Sequence, residues 1–291
     1  LRAIAEDSRW RDDVLRICEQ ALAGDYPFFS RWVGRLGWPP DFNRDPAHGI
    51  TWPVGEHWTR TARSGAPRHD IKFVWEPNRF TLAYCLTRAF LRDGDQRWAK
   101  AFWTMFDAWV NQNPVQMSVA WGCGQEIAFR LMAMLTAAMA TLSSDHATPS
   151  RLYALARLAW QSARRIDANI NYAIAQENNH ALSEALGLWT VGLLFPEFPQ
   201  ARRWQRRSRR ILAAECQRQI YSDGSFVQHS LSYHRVMLDD LMWCRRLGQI
   251  NGQPLPDVVH DRFRRATDWL AQMVDPVSGR VPNYGANDGA N

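Results

Sequence analysis

The chain has 291 residues, and its 35 Lys and Arg residues against 29 Asp and Glu residues give a formal net charge of +6. With 46% hydrophobic and 22% charged residues, the composition is that of a globular protein and excludes a disordered chain. The five cysteines are widely spaced and form no CxxC pair, which excludes a disulfide framework and a common zinc pattern. The most apolar stretches fall far short of the roughly 20 residues that span a bilayer.

In chain order, apolar periodicity first predicts a helix near 8–23. Residues 34–70 are rich in Gly, Pro, Trp and His and predict an irregular arm. From about residue 76 onward, helical spacing almost without strand alternation predicts an all-α fold. The predicted helices, separated by Gly, Pro and Asn turn signals, lie near 76–92, 95–111, 119–142, 149–167, 171–195, 199–220, 229–249 and 257–274.

Two of the predicted helices, 119–142 and 171–195, are apolar around most of their circumference. This pattern is typical of helices buried on more than one side. An inner ring of helices covered by an outer ring would produce it. The pattern alone leaves a bundle, a solenoid and a closed ring of helical hairpins open.

The densest polar cluster is Gln176-Glu177-Asn178-Asn179-His180, at the start of an apolar helix. On a continuous helix, Glu177, His180 and Glu184 share one face, so that an acid and an imidazole lie on the stripe that should be core. The cluster therefore predicts either a reactive site or a hydrogen-bonded structural network.

A second cluster runs from Asp223 through Gly224, His229 and Tyr233 to His234. It combines a glycine turn, two imidazoles and a phenol at the start of a helix, where reactive groups can face a cleft. A capped helix start with an amphipathic Tyr is an equally good interpretation.

In two further patches an acid precedes an arginine by three or four residues: Glu76 before Arg79, and Glu126 before Arg130. This spacing predicts an ion pair within each helix. The apolar residues after Arg130 predict an inward guanidinium, which needs Glu126 or a ligand carboxylate as its partner. The arginine run 202–210 is most simply a solvated helix face, with nucleic-acid binding as the weaker alternative.

Taken together and in this order, the clusters resemble the heparinase II/III-like polysaccharide lyases, over roughly residues 45–291. The matching pieces are Asp70-Ile71-Lys72 with Trp75-Glu76-Pro77-Asn78-Arg79, Trp121 with Glu126 to Arg130, Glu177 to His180 with Glu184, Asp223 to His234, and Pro282 to Gly289. The resemblance implies an incomplete α/α toroid followed by an antiparallel β-sandwich domain. We therefore expect an N-terminal helix and arm over 1–70, the toroid over 71–280, and over 281–291 the start of a linker to a sandwich beyond this chain.

The resemblance also implies the reaction, a metal-independent β-elimination at a uronic acid of an acidic polysaccharide. Tyr233 matches the family's base and acid, while Asn179 and His180 match the positions that neutralise the uronate carboxylate. The resemblance further suggests substrate-binding roles for Arg130, Glu177, His234, Arg79, Trp121 and Trp75. It implies no cofactor, no metal, and neither a nucleic-acid nor a membrane partner, and it favours a periplasmic or secreted bacterial protein.

Two other functions stay open at this point. One is a toroid that binds acidic polysaccharides without cleaving them. The other is an inverting glycoside hydrolase on a similar toroid, which would use two of the carboxylates of Glu126, Glu177 and Glu184. Heparan-like, alginate-like and capsular uronates are not distinguished.

Overall fold

The structure is a computed structural model that describes residues 11–29, 32–61 and 69–287. The described residues form two compact units, Leu1–Gln161 and Ser162–Asn291. They confirm the predicted all-α class, since helices dominate both units and the strands are short. The predicted boundaries at residues 70 and 280 stay a prediction.

The first unit begins with a helix and two small hairpins. Helix α1 is Arg11–Leu22, strand β1 (Asp25–Phe28) pairs antiparallel with β2 (Trp32–Arg35), and β3 (Arg44–Asp45) pairs with β4 (Ile50–Thr51). The short helix α2, Trp58–Thr61, follows. The predicted irregular arm therefore contains local strand pairs, and its residues 62–68 lie outside the described ranges, as do residues 8–10 of the first predicted helix.

Longer helices complete the first unit: α3 (Lys72–Asn78), α4 (Thr81–Asp93), α5 (Gln96–Gln112) and α6 (Gly124–Ala140). The predicted helix 76–92 is two helices, because Phe80 takes a left-handed backbone conformation with φ 61° directly after α3. The predicted helix 119–142 starts as a separate 3-10 turn, Val119–Trp121, before α6. Helix α4 packs against α1, α5 and α6.

Helix α7, Pro149–Ala175, contains the boundary between the units. The second unit continues with α8 (His180–Leu194), α9 (Ala201–Gln219), α10 (Leu231–Ile250) and α11 (Asp257–Met273). Helix α8 packs against α9 and α10, and α11 packs against both of these. Every residue of α8 from Ala181 to Leu193 is buried, which confirms the prediction of a helix covered on more than one side.

Large aromatic side chains make up much of both cores. Six tryptophans are fully buried: Trp98, Trp103, Trp109, Trp121, Trp189 and Trp204. Most of the aromatic excess is thus packing, since each such ring buries a large apolar area. Within the described ranges, no helix combines the length and apolarity needed to cross a membrane.

Candidate active site

The acidic cluster before α8 forms a turn between two helices. The sequence predicted a break near residues 168–170, but α7 continues to Ala175 and the chain turns over 176–179. Glu177 has a left-handed backbone with φ 53°, and its side chain is 72% exposed. Its carboxylate accepts a hydrogen bond from Arg218 Nη1 at 2.6 Å. The predicted helix face shared by Glu177, His180 and Glu184 is therefore wrong, because Glu177 precedes the helix.

Asn179 and His180 form the start of α8. Asn179 occupies the N-cap position and is 2% exposed, while His180 is half-buried as the first helical residue. The Asn179 N–H donates to Gln228 Oε1 at 3.0 Å, and Gln219 Nε2 donates to the Asn178 carbonyl at 3.0 Å. Gln219 at the end of α9 and Gln228 in the segment between α9 and α10 thus hold the turn before α8.

Tyr233 lies in the first turn of α10. Its N–H donates to the Ser230 hydroxyl at 3.3 Å, so Ser230 caps the helix. Chain from the Pro282 motif covers this helix start, since the Leu231 N–H donates to the Tyr284 carbonyl at 3.1 Å and Ser232 donates to Asn287 Oδ1 at 3.2 Å. The cluster from Asp223 to His234 and the Pro282 motif therefore lie side by side.

Helices α8 and α10 run in the same direction, which brings their first turns to the same end of the unit. Ser183 in the first turn of α8 contacts Asp240 in the middle of α10, and further along both helices Trp189 Nε1 donates to the Cys244 carbonyl at 3.1 Å. The two contacts advance together along both chains, as in parallel helices. The Asn179–Gln228 hydrogen bond joins the segments that precede the two helices. The structure thus brings Asn179, His180 and Tyr233 to one region.

A buried chain of hydrogen bonds connects Asn179 with the interior of the second unit. Ser183 Oγ lies 3.2 Å from the Asn179 carbonyl oxygen and 2.5 Å from Asp240 Oδ2. Burial raises the pKa of Asp240 to about 8, and the neighbouring Asp239 adds to this effect. Ser183 thus connects the Asn179 carbonyl at the start of α8 with the buried Asp240 carboxyl of α10. Sequence reasoning missed this chain, although an acid pair in a largely apolar helix is a signal for it.

His234 is a core residue of the second unit. Its ring stacks on Trp269 with 4.9 Å between centroids, and its Nε2 lies 2.9 Å from the Ala266 carbonyl oxygen. Burial lowers the pKa of His234, so the ring is neutral at pH 7. The predicted substrate contact does not fit a side chain that is 1% exposed and packed in this way.

In the first unit, Arg79 joins two acids that the sequence assigned to separate helices. Arg79 Nη1 donates to Glu76 Oε2 at 2.8 Å, which confirms the predicted pair. Its Nε and Nη2 donate to both oxygens of Glu126, at 2.7 and 2.8 Å. This bidentate bond is the strong geometry for a guanidinium and a carboxylate. The predicted partner of Glu126, Arg130 four residues on, is wrong because Arg79 from α3 takes both carboxylate oxygens.

Arg130 is held by aromatic faces and carbonyl groups. It is 1% exposed, its guanidinium lies 4.3 Å from the Trp109 ring centroid, and its Nη2 donates to the Ala120 carbonyl at 3.0 Å. Burial lowers the pKa of Arg130 to about 9. Trp121 has no exposed surface and also lies beside this guanidinium, at 5.8 Å. The predicted contacts of Arg130 and Trp121 with substrate do not fit, because both side chains are engaged with neighbouring rings and backbone carbonyls.

Trp75 is half-buried, and its Nε1 donates to the Val119 carbonyl at 3.0 Å. The predicted site residues thus fall into two groups. Trp75, Arg79, Trp121 and Arg130 belong to the first unit, and Glu177, Asn179, His180, Tyr233 and His234 belong to the second. Among the described residues, no group of three or more His, Cys, Asp or Glu side chains is placed to hold a metal ion.

Comparison with known proteins identifies similar sequences and folds. The family profile described as Heparinase II/III N-terminus matches residues 36–289. A heparin-sulfate lyase from Bacteroides thetaiotaomicron is 26% identical over 202 residues, which cover 65% of this chain and 27% of that protein. A heparin-sulfate lyase from Pedobacter heparinus is 24% identical over 178 residues, which cover 60% of this chain and 26% of that protein.

Solved structures share the fold. The crystal structure of heparan sulfate lyase HepC from Pedobacter heparinus superposes with a TM-score of 0.68 at 19% identity, covering 93% of this chain and 40% of that one. The Heparinase III-BT4657 gene product gives a TM-score of 0.64 at 21% identity, covering 91% of this chain and 40% of that one. The chain therefore spans about a quarter of the length of these two sequence relatives and two fifths of these solved chains.

Proposed function

Because this chain belongs to the Heparinase II/III N-terminus family, we propose that it forms the helical part of a polysaccharide lyase acting on an acidic, uronate-containing polysaccharide. The observation that carries the proposal is the position of Asn179 and Tyr233 at the starts of two parallel helices, where Gln228 of the segment before α10 accepts from the Asn179 N–H. The names of the relatives make heparan sulfate and heparin the first substrates to test. Alginate-like polymers are the second.

The first requirement of β-elimination is to stabilise charge on the uronate carboxylate. When the C5 proton leaves, negative charge develops on the adjacent carboxylate, and pre-organised donors must meet it. In our proposal, the Asn179 amide and the His180 imidazole do this at the start of α8. The partial positive charge of the helix N-terminus acts in the same direction.

The second requirement is a proton carrier between C5 and the glycosidic oxygen. We assign both steps to Tyr233. Its phenolate takes the C5 proton, the C5–H electron pair forms the C4–C5 double bond, and the C4–O bond breaks. The departing oxygen then takes the proton from the phenol, so that Tyr233 returns to phenolate. The N-terminal end of α10 favours the phenolate at this position.

We propose that the long stretch of the relatives beyond the matched region corresponds to a β-sandwich domain in the complete protein. In the first unit, half-buried Trp75 and Arg79 are the remaining candidates for sugar contacts, and Arg130 with Trp121 supports them. The hydrolase alternative is weakened because Glu126 and Glu177 are both held by arginines.

The test uses the complete natural protein with heparan sulfate, heparin and alginate. Elimination appears as ultraviolet absorbance of the conjugated, unsaturated uronate at the new chain end. We expect Tyr233→Phe to lower kcat by about 10² to 10⁴-fold, and Asn179→Ala by about 10² to 10³-fold. Tyr172→Phe, at an exposed Tyr of α7, is the matched control and should retain wild-type activity.

Three results would overturn the assignment. Full elimination activity in Tyr233→Phe would remove Tyr233 as the base. Release of reducing ends without an unsaturated product would support the hydrolase alternative. Binding of the polymer without any cleavage by the complete protein would support the non-catalytic alternative.

A further inference from the structure

Five of the six arginines in the run of α9 form two sets with different surroundings, and the sixth, Arg202, is exposed and belongs to neither set. Arg203 and Arg207 both pair with Asp167 of α7, and Arg207 Nη2 also donates to Asn171 Oδ1 at 2.8 Å. Arg206, Arg209 and Arg210 form no hydrogen bond or ion pair within the described ranges. One face of the helix is thus neutralised, whereas the other carries three uncompensated guanidinium groups.

The unpaired set lines an open cavity. Its walls are Arg206, Arg209, Arg210, Ala213 and Pro256, and its volume is about 570 Å³. We call these five residues the arginine groove. The other three α9 positions lie three, four and seven residues after Arg206, which places all four on one helix face over about 10 Å of helix axis. The small Ala213 side chain leaves the groove open at one end.

The other wall of the groove adds to its positive potential. Pro256 is the N-cap residue of α11, a helix of 17 residues whose first N–H groups have no partner within the helix. The start of a helix carries partial positive charge. Asp257 follows directly, but it forms no ion pair with any arginine of the groove within the described part of the chain. Asp257, the acid next to Pro256, therefore leaves these guanidinium groups available.

We propose that the arginine groove is a second binding site for a stretch of acidic polysaccharide. Guanidinium groups bind planar carboxylates and tetrahedral oxyanions through paired N–H donors. Three of them along about 6 Å of helix axis, at the ends of long side chains, suit a chain that carries successive anionic groups better than a single small anion. None of the five residues belongs to the predicted reaction site. The choice of polymer rests on the proposed function.

The lining favours a polysaccharide over a nucleic acid. Proteins that bind single-stranded nucleic acids combine a basic groove with aromatic side chains on which the bases stack. The arginine groove has arginine, alanine and proline walls and no aromatic residue. A site of this kind would hold long polymers through a second contact and so raise their apparent affinity, without changing the chemistry on short substrates.

The test compares two triple variants of the complete natural protein, each of which removes three positive charges. The groove variant changes the three unpaired arginines to Gln: Arg206, Arg209 and Arg210. The control changes three exposed arginines that pair with surface carboxylates: Arg16, Arg35 and Arg264. Circular dichroism and thermal unfolding establish that both variants fold.

Binding is measured on immobilised heparin at several salt concentrations, and turnover on long heparan sulfate and on short oligosaccharides from it. We expect the groove variant to lose about tenfold in affinity for the long polymer and to show a weaker salt dependence. Its kcat and its KM for short oligosaccharides should equal those of the wild type. An equal loss of affinity in the control variant would overturn the proposal, because net charge alone would then explain it.

Two further outcomes separate this site from the proposed function. A loss of heparin affinity specific to the groove variant, in a protein that cleaves no uronate polymer, would support the groove and overturn the lyase assignment. Tighter binding of single-stranded DNA than of heparin, abolished in the groove variant, would assign the groove to nucleic acid and overturn the polysaccharide proposal.

Discussion

Replacing Glu126 by Gln tests the ion-pair network of the first unit most directly. The Glu126 side chain is 3% exposed, and its two oxygens accept the hydrogen bonds of Arg79 at 2.7 and 2.8 Å. Gln has nearly the same shape but no charge, and it can accept only through one oxygen. The variant therefore leaves a largely buried guanidinium with Glu76 as its one remaining carboxylate partner.

The expected cost follows from burial. Removing one member of a buried ion pair costs about 3–5 kcal/mol, because the other charge stays buried without compensation. Arg79 is 17% exposed and keeps its bond to Glu76, so we expect a loss near the lower limit, about 3 kcal/mol. In the control pair, Arg151 with Asp107, the carboxylate is 42% exposed, so Asp107→Asn should lose at most about 1 kcal/mol.

Urea unfolding followed by tryptophan fluorescence measures these losses. Two double-mutant cycles then identify the partner of Glu126. One combines Glu126→Gln with Arg79→Met, and the other combines it with Arg130→Met. We expect a coupling energy of about 1–3 kcal/mol with Arg79 and a smaller one with Arg130. A larger coupling with Arg130 would refute the reasoning, because it would restore the pair within one helix that the spacing predicts.

Two other predictions concern the second unit. Burial raises the pKa of Asp240 in the folded state above its value in the unfolded state, so the folded state binds more protons between about pH 4 and 8. The free energy of unfolding therefore falls as pH rises through this window, by an amount on the order of several kcal/mol. Asp240→Asn should flatten the dependence of the urea midpoint on pH. The control Asp257→Asn, at an exposed carboxylate, should retain this dependence. An unchanged pH dependence in Asp240→Asn would contradict the prediction. Gly224→Ala should cost at least about 3 kcal/mol, since φ is 96° and the new Cβ would lie 2.2 Å from a carbonyl oxygen of α11. Gly279→Ala, at φ 67° with open space around it, should lose about 1 kcal/mol, and equal losses in the two variants would rule out the clash.

Helix positions were the part of the fold most accessible from sequence. The helices predicted at 95–111, 199–220, 229–249 and 257–274 correspond to α5, α9, α10 and α11 within two residues at each end. Their apolar periodicity and caps are local properties, so the sequence carries them directly. The break at Phe80 was not predicted and the one at Glu177 was predicted near 168–170, because a left-handed backbone at a bulky or charged residue leaves no mark in composition.

The chemistry-bearing residue types were also accessible, since the family motifs name Asn179 and Tyr233 by position. Their partners were not. The partner of Glu126 is decided by the approach of α3 to α6, and the Asp240–Ser183–Asn179 chain by the parallel packing of α8 and α10. Spacing along one helix predicts only neighbours within that helix, whereas burial and contacts between helices depend on tertiary packing. By itself the sequence determined the helical class and the candidate residues. Only the tertiary structure decided which of them are buried and which groups hold them.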